Sequence, residues 1–256
     1  MQPATLLNTR PKAQASELAA ALEEAGVDSL SCPAIEIQPI LLAKETLPSL
    51  ADFDLLFFIS ANAVWQLVEQ WQQTFGTSLV VPKTIRCYAI GQATQNAMCA
   101  AGIPASTTQG PFDSEQLLAE LGSQLVSKKC LIVKGEGGLD TLSKGLVEKG
   151  AKVTRWDCYR RVPAAFCRQA WQDFRQAERP IVLASSLQTW ENLVANVKTH
   201  AGEAELAWLF QQDCIVFSGR IKDALIRQHW QGRINVVPIQ TNQGIIESIK
   251  QLLNMR

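Results

Sequence analysis

Residues 54–68, DLLFFISANAVWQLV, are an apolar run that stops at Ser60-Ala61-Asn62 and then continues with helical spacing. Residues 180–194, PIVLASSLQTWENLV, make the same change at Ser185-Ser186. Each stretch predicts a buried β-strand that turns directly into a helix, because an unbroken apolar run gives way to apolar residues three and four apart. The chain therefore builds the same strand-to-helix corner twice, with small hydroxyl and amide residues at the bend.

The two corners belong to a longer internal repeat. Ser60 precedes Ser185 by 125 residues, and Trp65 precedes Trp190 by the same number. Three further pairs of segments keep the order and nearly the same spacing: residues 5–27 with 129–151, 86–98 with 213–225, and 113–121 with 242–250. For any single pair, chance similarity between common strand–helix patterns is the alternative explanation. The four pairs together predict two similar lobes.

Strand patterns alternate with helical patterns along the whole chain. Residues 11–26 place Ala15, Leu18 and Leu22 on one helical face, and Gly26 ends the pattern. Such alternation predicts βαβ units, so the predicted fold class is α/β, with two similar lobes of parallel sheet flanked by helices. Strands are predicted at residues 4–8, 54–59, 85–90, 130–133, 152–156, 181–184, 214–217 and 234–238.

Two segments look like crossovers between the lobes rather than sheet interior. CPAIEIQPI (32–40) and CYRRVP (158–163) each follow a completed strand–helix segment and carry a proline near the end. If they run side by side, with strands near 34–39 and 157–162, they form a two-stranded β-ladder neck. One lobe is then discontinuous in sequence.

The composition limits which binding partners and which cellular compartment we expect for the protein. The 256-residue chain is 47% hydrophobic, enough for a sizeable core, and its 24 Lys and Arg residues balance 24 Asp and Glu residues. A balanced chain gives no broad electrostatic reason to bind nucleic acid or an anionic membrane. The N-terminal residues lack a secretory pattern, and no apolar stretch approaches the ~20 residues that cross a bilayer. We therefore expect a cytoplasmic protein without nucleic-acid or membrane partners.

The seven cysteines are scattered and include no Cys-x-x-Cys pair. We interpret them as reduced core residues of a cytosolic protein. A metal site is disfavoured, because only His200 and His229 are available to assist and neither has ligand spacing.

Small polar residues follow the carboxyl ends of the predicted strands, where parallel α/β sheets bind ligands. For each site alone, capping of the next helix is the ordinary interpretation. Together, several helix N-termini facing one cleft would offer N–H groups and partial positive charge to carboxylates or phosphates. We therefore predict an anionic ligand docked at one corner from each lobe. The strand ends read NTRP, ISAN, AIGQ, VKGEGG, ASSL and FSGR.

The familiar catalytic motifs do not occur. GEGGLD, residues 135–140, has Asp140 where a dinucleotide fingerprint needs its third glycine. No G-x-x-x-x-G-K-[ST] loop and no G-x-S-x-G elbow is present, which disfavours nucleotide hydrolysis and serine-hydrolase chemistry. Tyr159, one of two tyrosines, lies in the second crossover, where a phenol can donate a proton to a leaving oxygen. Simple packing of that ring in the neck is the alternative.

The chain resembles the uroporphyrinogen-III synthase family in a set of motifs that span nearly all of it in the family's order. Each motif is weak alone, but the set is specific. They are Thr9-Arg10-Pro11, PAIEIQP (33–39), FISANAV (58–64), AIGQAT (89–94), VKGEGG (133–138), CYRRVP (158–163) and ASSLQTWENL (184–193).

This resemblance implies two α/β lobes joined by a two-stranded ladder, the first lobe being built from both chain ends. We expect a first domain of residues 1–35 and 163–256 and a second of residues 36–162. The resemblance also implies a lyase of tetrapyrrole and heme biosynthesis that cyclises hydroxymethylbilane to uroporphyrinogen III, with loss of water and inversion of ring D. No cofactor is expected, a monomer suffices, and a transient contact with the preceding synthase stays open.

The resemblance also suggests roles for individual residues. Tyr159 matches the family's tyrosine suspected of assisting hydroxyl departure, and Thr94 matches a motif threonine that we expect to cap or to contact substrate. Two departures stand out: Leu139 replaces a frequent arginine, leaving Lys134 to supply charge, and Ile221 stands where a threonine is frequent. The predicted substrate contacts are Arg10, Ser60, Ala61, Asn62, Gly91, Thr94, Lys134, Gly135, Ser185, Ser186, Ser218, Gly219 and Arg220.

Two alternatives remain at this point. Arg10 and Arg220 are either carboxylate partners or simply exposed. The whole chain is either the enzyme or a catalytically silent two-lobed relative that binds a polyanion or acts as a regulatory domain, and Leu139 is the departure that favours the silent relative.

Overall fold

The computed structural model describes residues 4–41, 47–106, 114–138 and 140–254. The chain divides into two compact units, which we describe one at a time. Unit 1 comprises Met1–Glu36 and Val162–Arg256, and unit 2 comprises Ile37–Arg161. The predicted domain boundaries stay a prediction, because this division does not measure whether either unit folds alone.

Ten strands and ten α-helices lie along the described residues. The strands are β1 (Thr5–Asn8), β2 (Asp28–Ser31), β3 (Ile35–Pro39), β4 (Leu55–Phe58), β5 (Arg86–Ala89), β6 (Lys129–Gly135), β7 (Lys152–Pro163), β8 (Pro180–Ala184), β9 (Asp213–Val216) and β10 (Ile234–Val236). The helices are α1 (Lys12–Glu24), α2 (Ala61–Phe75), α3 (Gln92–Ala100), α4 (Ser114–Leu121), α5 (Thr141–Glu148), α6 (Arg168–Arg175), α7 (Leu187–His200), α8 (Glu203–Leu209), α9 (Gly219–Arg227) and α10 (Asn242–Asn254).

Unit 1 has a five-stranded sheet in the order β10-β9-β8-β1-β2, and all four strand pairs are parallel. Its core lies on both faces of this sheet. Leu7 packs in a cluster with Trp171, Phe174 and Trp190, while its neighbour Leu6 packs on the other face. Adjacent strand residues point to opposite faces, so an unbroken apolar run such as Leu6-Leu7 fits a strand that is covered on both sides.

Unit 2 has a second five-stranded sheet in the order β3-β7-β6-β4-β5. Strands β4, β5, β6 and β7 are parallel, and β3 is antiparallel to the end of β7, because Ile40 N donates to Cys158 O while Ala164 N donates to Ala34 O. Every buried residue of this unit's two core clusters lies within residues 37–161. The α/β fold class is therefore confirmed, with two parallel-dominated sheets flanked by helices.

The sheet orders agree with the predicted repeat. Three of the four predicted pairs of segments contain strands in the same sheet position, with β6 matching β1, β4 matching β8, and β5 matching β9. The fourth pair falls on helices α4 and α10. Next to β6, strand β7 corresponds to β2 of unit 1. Next to β5, at the opposite edge of the sheet, an isolated parallel bridge from Cys87 to Ala105 takes the position that β10 has in unit 1.

The register of the repeat differs by one residue from the predicted spacing. Ser60 caps α2, and the residue that caps α7 is Ser186 rather than Ser185. The tryptophans are not equivalent either: Trp65 is 42% exposed, whereas Trp190 is fully buried. One residue separates the strand from the cap in both corners, Ile59 after β4 and Ser185 after β8. Ser60 therefore corresponds to Ser186, 126 positions later.

The prediction that the two crossover segments lie outside the sheets was wrong. Both are regular strands of the unit 2 sheet, β3 lying at its edge and β7 continuing without a break from Lys152 to Pro163. Their antiparallel pairing is the predicted two-stranded ladder. Strand β2 was not predicted, because its sequence DSLS contains no apolar run.

The interpretation of all seven cysteines as reduced was also wrong for one pair. Cys32 and Cys167 form a disulfide in unit 1, their Cα atoms lying 5.4 Å apart. Cys87, Cys130, Cys158 and Cys214 are buried and free. Burial raises the pKa of the Cys87 and Cys158 thiols to about 12 and that of the Cys130 thiol to about 11, so these groups stay protonated, as core thiols do.

Candidate functional site

The unit 2 candidate site begins where β4 turns into α2. Ser60 is the N-cap, and its Oγ accepts a hydrogen bond of 3.2 Å from the backbone N–H of Ala63. The first two helical residues, Ala61 and Asn62, have amides without an intrahelical acceptor, as at any helix start. Both are partly exposed. Ser60 therefore provides an acceptor for one amide, and the amides of Ala61 and Asn62 stay available to a ligand at the positive end of the helix.

Tyr159, on β7, reaches this corner. Its phenol oxygen lies 2.9 Å from Ser60 Oγ, although the two residues are 99 positions apart. Arg161 Nη2 donates a 3.0 Å hydrogen bond to the same phenol oxygen, and the guanidinium lies over the ring, 5.4 Å from its centroid. Tyr159 as a whole is 1% exposed. The predicted catalytic residue is thus buried within unit 2 and held by two polar side chains.

Gly135, at the end of β6, leaves the space that the Tyr159 ring fills. A Cβ at this position would lie 2.5 Å from the ring Cζ, closer than any side chain tolerates. The β6–β7 register shifts between Lys134 and Gly135, which brings Gly135 opposite Tyr159. The next amide, that of Glu136, donates a 2.7 Å hydrogen bond to the Tyr159 carbonyl. β-Bulges of this kind redirect a side chain next to a site.

Lys134 is mostly occupied by an internal ion pair. Its side chain is 10% exposed, and its Nζ donates a 3.2 Å hydrogen bond to Asp140, which Arg155 also contacts at 3.3 Å. The hydrogen bond from Lys134 is the main cause that holds the pKa of the Asp140 carboxyl below its usual range. The contact predicted from Lys134 to substrate would therefore compete with Asp140. Leu139 lies outside the described residues.

The second unit 2 corner, between β5 and α3, is built differently. Gly91 is the N-cap with a φ of 85°, a conformation that glycine adopts without strain, and no side chain caps the helix. Thr94 is 3% exposed, and its Oγ1 donates a 2.6 Å hydrogen bond to the Ile90 carbonyl. The structure therefore uses the threonine hydroxyl to tie the first helical turn to the strand end.

In unit 1, Arg10 follows β1 and is partly buried. Its Nη1 donates a 3.0 Å hydrogen bond to Asn242 Oδ1 at the start of α10, and its Nε donates a 3.3 Å bond to Gln14. The guanidinium also lies 5.8 Å from the centroid of the Phe217 ring. Burial lowers the pKa of the Arg10 guanidinium below its ordinary value. A partly desolvated cation at a strand end is suited to pair with a carboxylate.

The remaining unit 1 candidates lie at two helix starts. Ser186 Oγ accepts a 3.0 Å hydrogen bond from the Thr189 amide, whereas Ser185 is partly exposed beside it. Ser218 caps α9 through the Ile221 amide at 3.4 Å. The two residues after this cap, Gly219 and Arg220, are exposed. The ordinary capping interpretation thus holds for Ser60, Ser186 and Ser218, and it still leaves the first amides of each helix for a ligand.

The structure brings together three of the predicted residues in unit 2: Ser60, Gly135 and Tyr159. Sequence reasoning missed Arg161, which completes this group. A signal was present, because residues 159 and 161 both lie in the neck strand predicted near 157–162, and side chains two apart on a strand share a face. That rule places Arg161 beside Tyr159 and was not applied to this strand.

Metal sites and membrane-spanning helices are both absent from the described ranges. No group of three or more His, Cys, Asp or Glu side chains there is arranged to hold a metal ion. No helix in the same ranges is both long and apolar enough to span a bilayer.

Comparison with known proteins gives one consistent result. Residues 16–247 match the family model described as uroporphyrinogen-III synthase HemD. A uroporphyrinogen-III synthase from Proteus mirabilis is 32% identical over 169 residues, which cover 62% of this chain and 80% of the relative. A protein of the same name from Escherichia coli K12 is 26% identical over 259 residues, covering 96% of this chain and all of the relative.

Solved structures agree at the level of the fold. The uroporphyrinogen-III synthetase of Helicobacter pylori aligns over the full length of both chains with a TM-score of 0.63 and 14% identity. A mutant uroporphyrinogen III synthase of Thermus thermophilus aligns over 99% of this chain and all of its own, with a TM-score of 0.59 and 17% identity.

Proposed function

The chain belongs to the uroporphyrinogen-III synthase family, and we propose that it closes linear hydroxymethylbilane into uroporphyrinogen III with inversion of ring D and loss of water. The observation that carries this proposal is the family match over residues 16–247, nearly the whole chain. The family belongs to tetrapyrrole and heme biosynthesis, and this chain therefore acts there as an enzyme.

The substrate's charge fits the candidate residues. Hydroxymethylbilane carries eight carboxylates, while the chain has a net charge of zero and must hold them by local geometry. Helix starts after Ser60, Gly91, Ser186 and Ser218 supply amides and partial positive charge, and Arg10 supplies a cation. Each such contact is worth only about 0.3–1 kcal/mol, so affinity requires several at once.

The chemical demand on the enzyme is orientation more than acid or base strength. Loss of the hydroxyl group gives an electrophilic azafulvene, which ring D attacks through its already substituted carbon to form a spiro intermediate. That intermediate then fragments and closes with ring D reversed. Because the substrate cyclises unaided to the uninverted isomer, the enzyme must hold the chain so that the other carbon attacks. Tyr159 is the group proposed to assist departure of the hydroxyl.

We further propose that the reaction is a lyase reaction that needs no cofactor, and that the protein acts as a cytoplasmic monomer. A transient contact with the preceding synthase would shorten the lifetime of the free, unstable substrate. The silent-relative alternative is not favoured, since the relatives described above are named as synthases.

Isomer analysis tests the proposal. Freshly made hydroxymethylbilane is incubated with and without the protein, with and without a metal chelator, and the oxidised products are separated as porphyrin isomers I and III. We expect a protein-dependent switch from I to III that the chelator does not change. Folded protein that yields only isomer I would overturn the proposal and restore the silent relative.

The role of Tyr159 is tested separately by Tyr159→Phe. Removing the phenol oxygen leaves the ring in place against Gly135, so the fold is expected to persist. We expect the rate of isomer III formation to fall by about a hundredfold, the lower end of the range for general acid catalysis. A variant that turns over at the parent rate would show that the phenol only packs.

A further inference from the structure

We propose that Ser60, Tyr159 and Arg161 form a proton relay, in which Arg161 positions the phenol and Ser60 delivers the proton to the departing hydroxyl. The inference rests on the proposed function, because it describes how the same site assists loss of water. It assigns a role to Arg161, and it moves the point of contact with substrate from the tyrosine to the serine.

Burial is the first reason to separate the tyrosine from the substrate. Tyr159 is 1% exposed, so its phenol oxygen is covered, whereas Ser60 is partly exposed at the start of α2 and Arg161 is exposed. The phenol lies against both of these residues within unit 2. A proton that leaves Tyr159 along the existing contacts therefore passes through one of them, and a guanidinium has no acceptor site.

Hydrogen-bond direction gives the second step. Arg161 can only donate, so the phenol oxygen accepts from Arg161 Nη2 at 3.0 Å. The phenol's own hydrogen then points to another acceptor, and Ser60 Oγ lies 2.9 Å away. Ser60 Oγ also accepts from the Ala63 amide. With both of its acceptor positions occupied, the serine directs its own hydrogen outward, next to the free amides of the helix start.

The relay balances the first chemical step. The C–O bond of the hydroxymethyl group breaks, pushed by the lone pair of the adjoining pyrrole nitrogen, and the hydroxyl leaves as water with the Ser60 proton. Ser60 takes the Tyr159 proton, and the Arg161 guanidinium stabilises the phenolate that results. The proton that ring D loses in the final closure returns through Ser60 to Tyr159, so the enzyme ends in its starting state.

The chain offers a clean way to observe the phenol. It has two tyrosines, and Tyr88 stacks on Phe57 away from this group. Tyr88→Phe therefore gives a background in which every tyrosine signal comes from Tyr159. The tyrosine Fermi doublet in the Raman spectrum is the readout, because its intensity ratio reports whether the phenol oxygen accepts a hydrogen bond. A purely structural role for Arg161 would not move this ratio in folded protein.

Three variants are compared in that background. Arg161→Met keeps an apolar stem over the ring but removes the donor, and Arg161→Lys keeps a cationic donor. Arg160→Met is the matched control, since Arg160 is the neighbouring arginine of β7 and pairs with Glu136, at 4.0 Å. We expect Arg161→Met to lower the Raman ratio and to lower kcat by about ten- to a hundredfold with KM nearly unchanged. Arg161→Lys should recover part of both, and Arg160→Met should change neither.

Ser60→Gly tests the delivery step. Glycine at an N-cap costs only a few tenths of a kcal/mol, so the helix start survives. We expect kcat to fall as far as in Tyr159→Phe, and the double variant to fall no further, because two residues of one relay act as a unit.

The outcomes separate this inference from the proposed function. A parent that forms no isomer III defeats the proposed function, and the relay with it. A parent that forms isomer III but whose phenol does not accept a hydrogen bond, or whose Arg161→Met and Ser60→Gly variants keep full kcat, defeats the relay alone.

Discussion

At the scale of single residues, the candidate site depends on a contact between Gly135 and Tyr159. The ring lies where any side chain at position 135 would lie, since the nearest ring atom would be 2.5 Å from a Cβ. Gly135 has an ordinary backbone conformation, so its role is to leave space and not to adopt a special φ. The glycine therefore decides where the phenol oxygen sits relative to Ser60.

We predict that Gly135→Ala displaces the Tyr159 ring. Overpacking of this kind costs about 1–3 kcal/mol, and the moved phenol should lose its contact with Ser60, lowering kcat for isomer III. Urea unfolding and steady-state kinetics measure the two effects. Gly219→Ala is the control for stability, because a Cβ there meets nothing within 4 Å. An alanine at 135 with parent stability and rate would refute the packing argument.

The sequence predicted some members of this site for reasons that the structure explains. Ser60 and Gly135 follow apolar strands, and ligand-side positions in α/β sheets are defined by strand ends. Arg161 could also have been found, because it lies two residues after Tyr159 on the neck strand predicted near 157–162 and therefore shares its face. The ion pair of Lys134 with Asp140 was not predictable from the sequence, since it depends on how the turn after β6 folds back.

At the scale of elements, the helix starts show which of two adjacent serines matters for folding. Ser186→Ala removes the oxygen that accepts from the Thr189 amide, and an N-cap of this type contributes about 1 kcal/mol. Ser185→Ala removes no cap and should change the free energy of unfolding by much less. Urea denaturation of both variants tests the register of the repeat, and equal losses would contradict the assignment of Ser186 as the cap.

The contacts of Asp54, between the starts of β4 and β6, should make the stability of the protein depend on pH. Asp54 accepts a 2.9 Å hydrogen bond from the Lys129 amide and a 3.1 Å bond from Lys128 Nζ, and these bonds lower the pKa of the Asp54 carboxyl from its ordinary value of 3.8. A lowered folded-state pKa contributes stability that is present above 3.8 and is lost as the pH falls through the lowered value.

We therefore expect Asp54→Asn to unfold at a lower urea concentration than the parent near neutral pH. The difference should shrink in acid, because protonation then removes the same contribution from the parent. Urea midpoints at about pH 6 and about pH 3 measure it. A difference that stays constant between these conditions would show that the carboxylate charge is not the cause.

Element prediction succeeded where apolar runs were long and failed where they were short. Strands such as β4 and β8 are covered on both faces and read as continuous hydrophobic stretches. Strand β2 has the sequence DSLS and lies at a sheet edge. It pairs with β1 through backbone hydrogen bonds, which no pattern of side chains in its sequence predicts. The edge strand β3, by contrast, was predicted as the neck strand near residues 34–39.

At the scale of the whole molecule, the central question is whether the discontinuous unit 1 is self-sufficient. Its sheet needs both chain ends, because β1 lies between β8 and β2. The buried residues of its two core clusters all come from residues 4–34 and 171–252. Cys32 and Cys167 are joined near the point where the chain leaves this unit and returns to it. Every hydrophobic contact that defines this core is therefore internal to unit 1.

We predict that unit 1 folds after residues 35–163 are replaced by the dipeptide Asn-Gly. The Ala164 amide donates to the Ala34 carbonyl, which is the hydrogen bond that closes a two-residue hairpin turn, and Asn-Gly is the preferred sequence for that turn. The shortened chain has the size of a typical single domain. It should unfold cooperatively in urea, as followed by tryptophan fluorescence and circular dichroism, with a free energy of unfolding of about 5 kcal/mol or more. A fragment of residues 164–256 is the control, since it lacks the central strand β1 and should not fold. If the shortened chain is unfolded while the full chain is stable, unit 1 depends on residues 35–163, and the two-domain prediction is wrong.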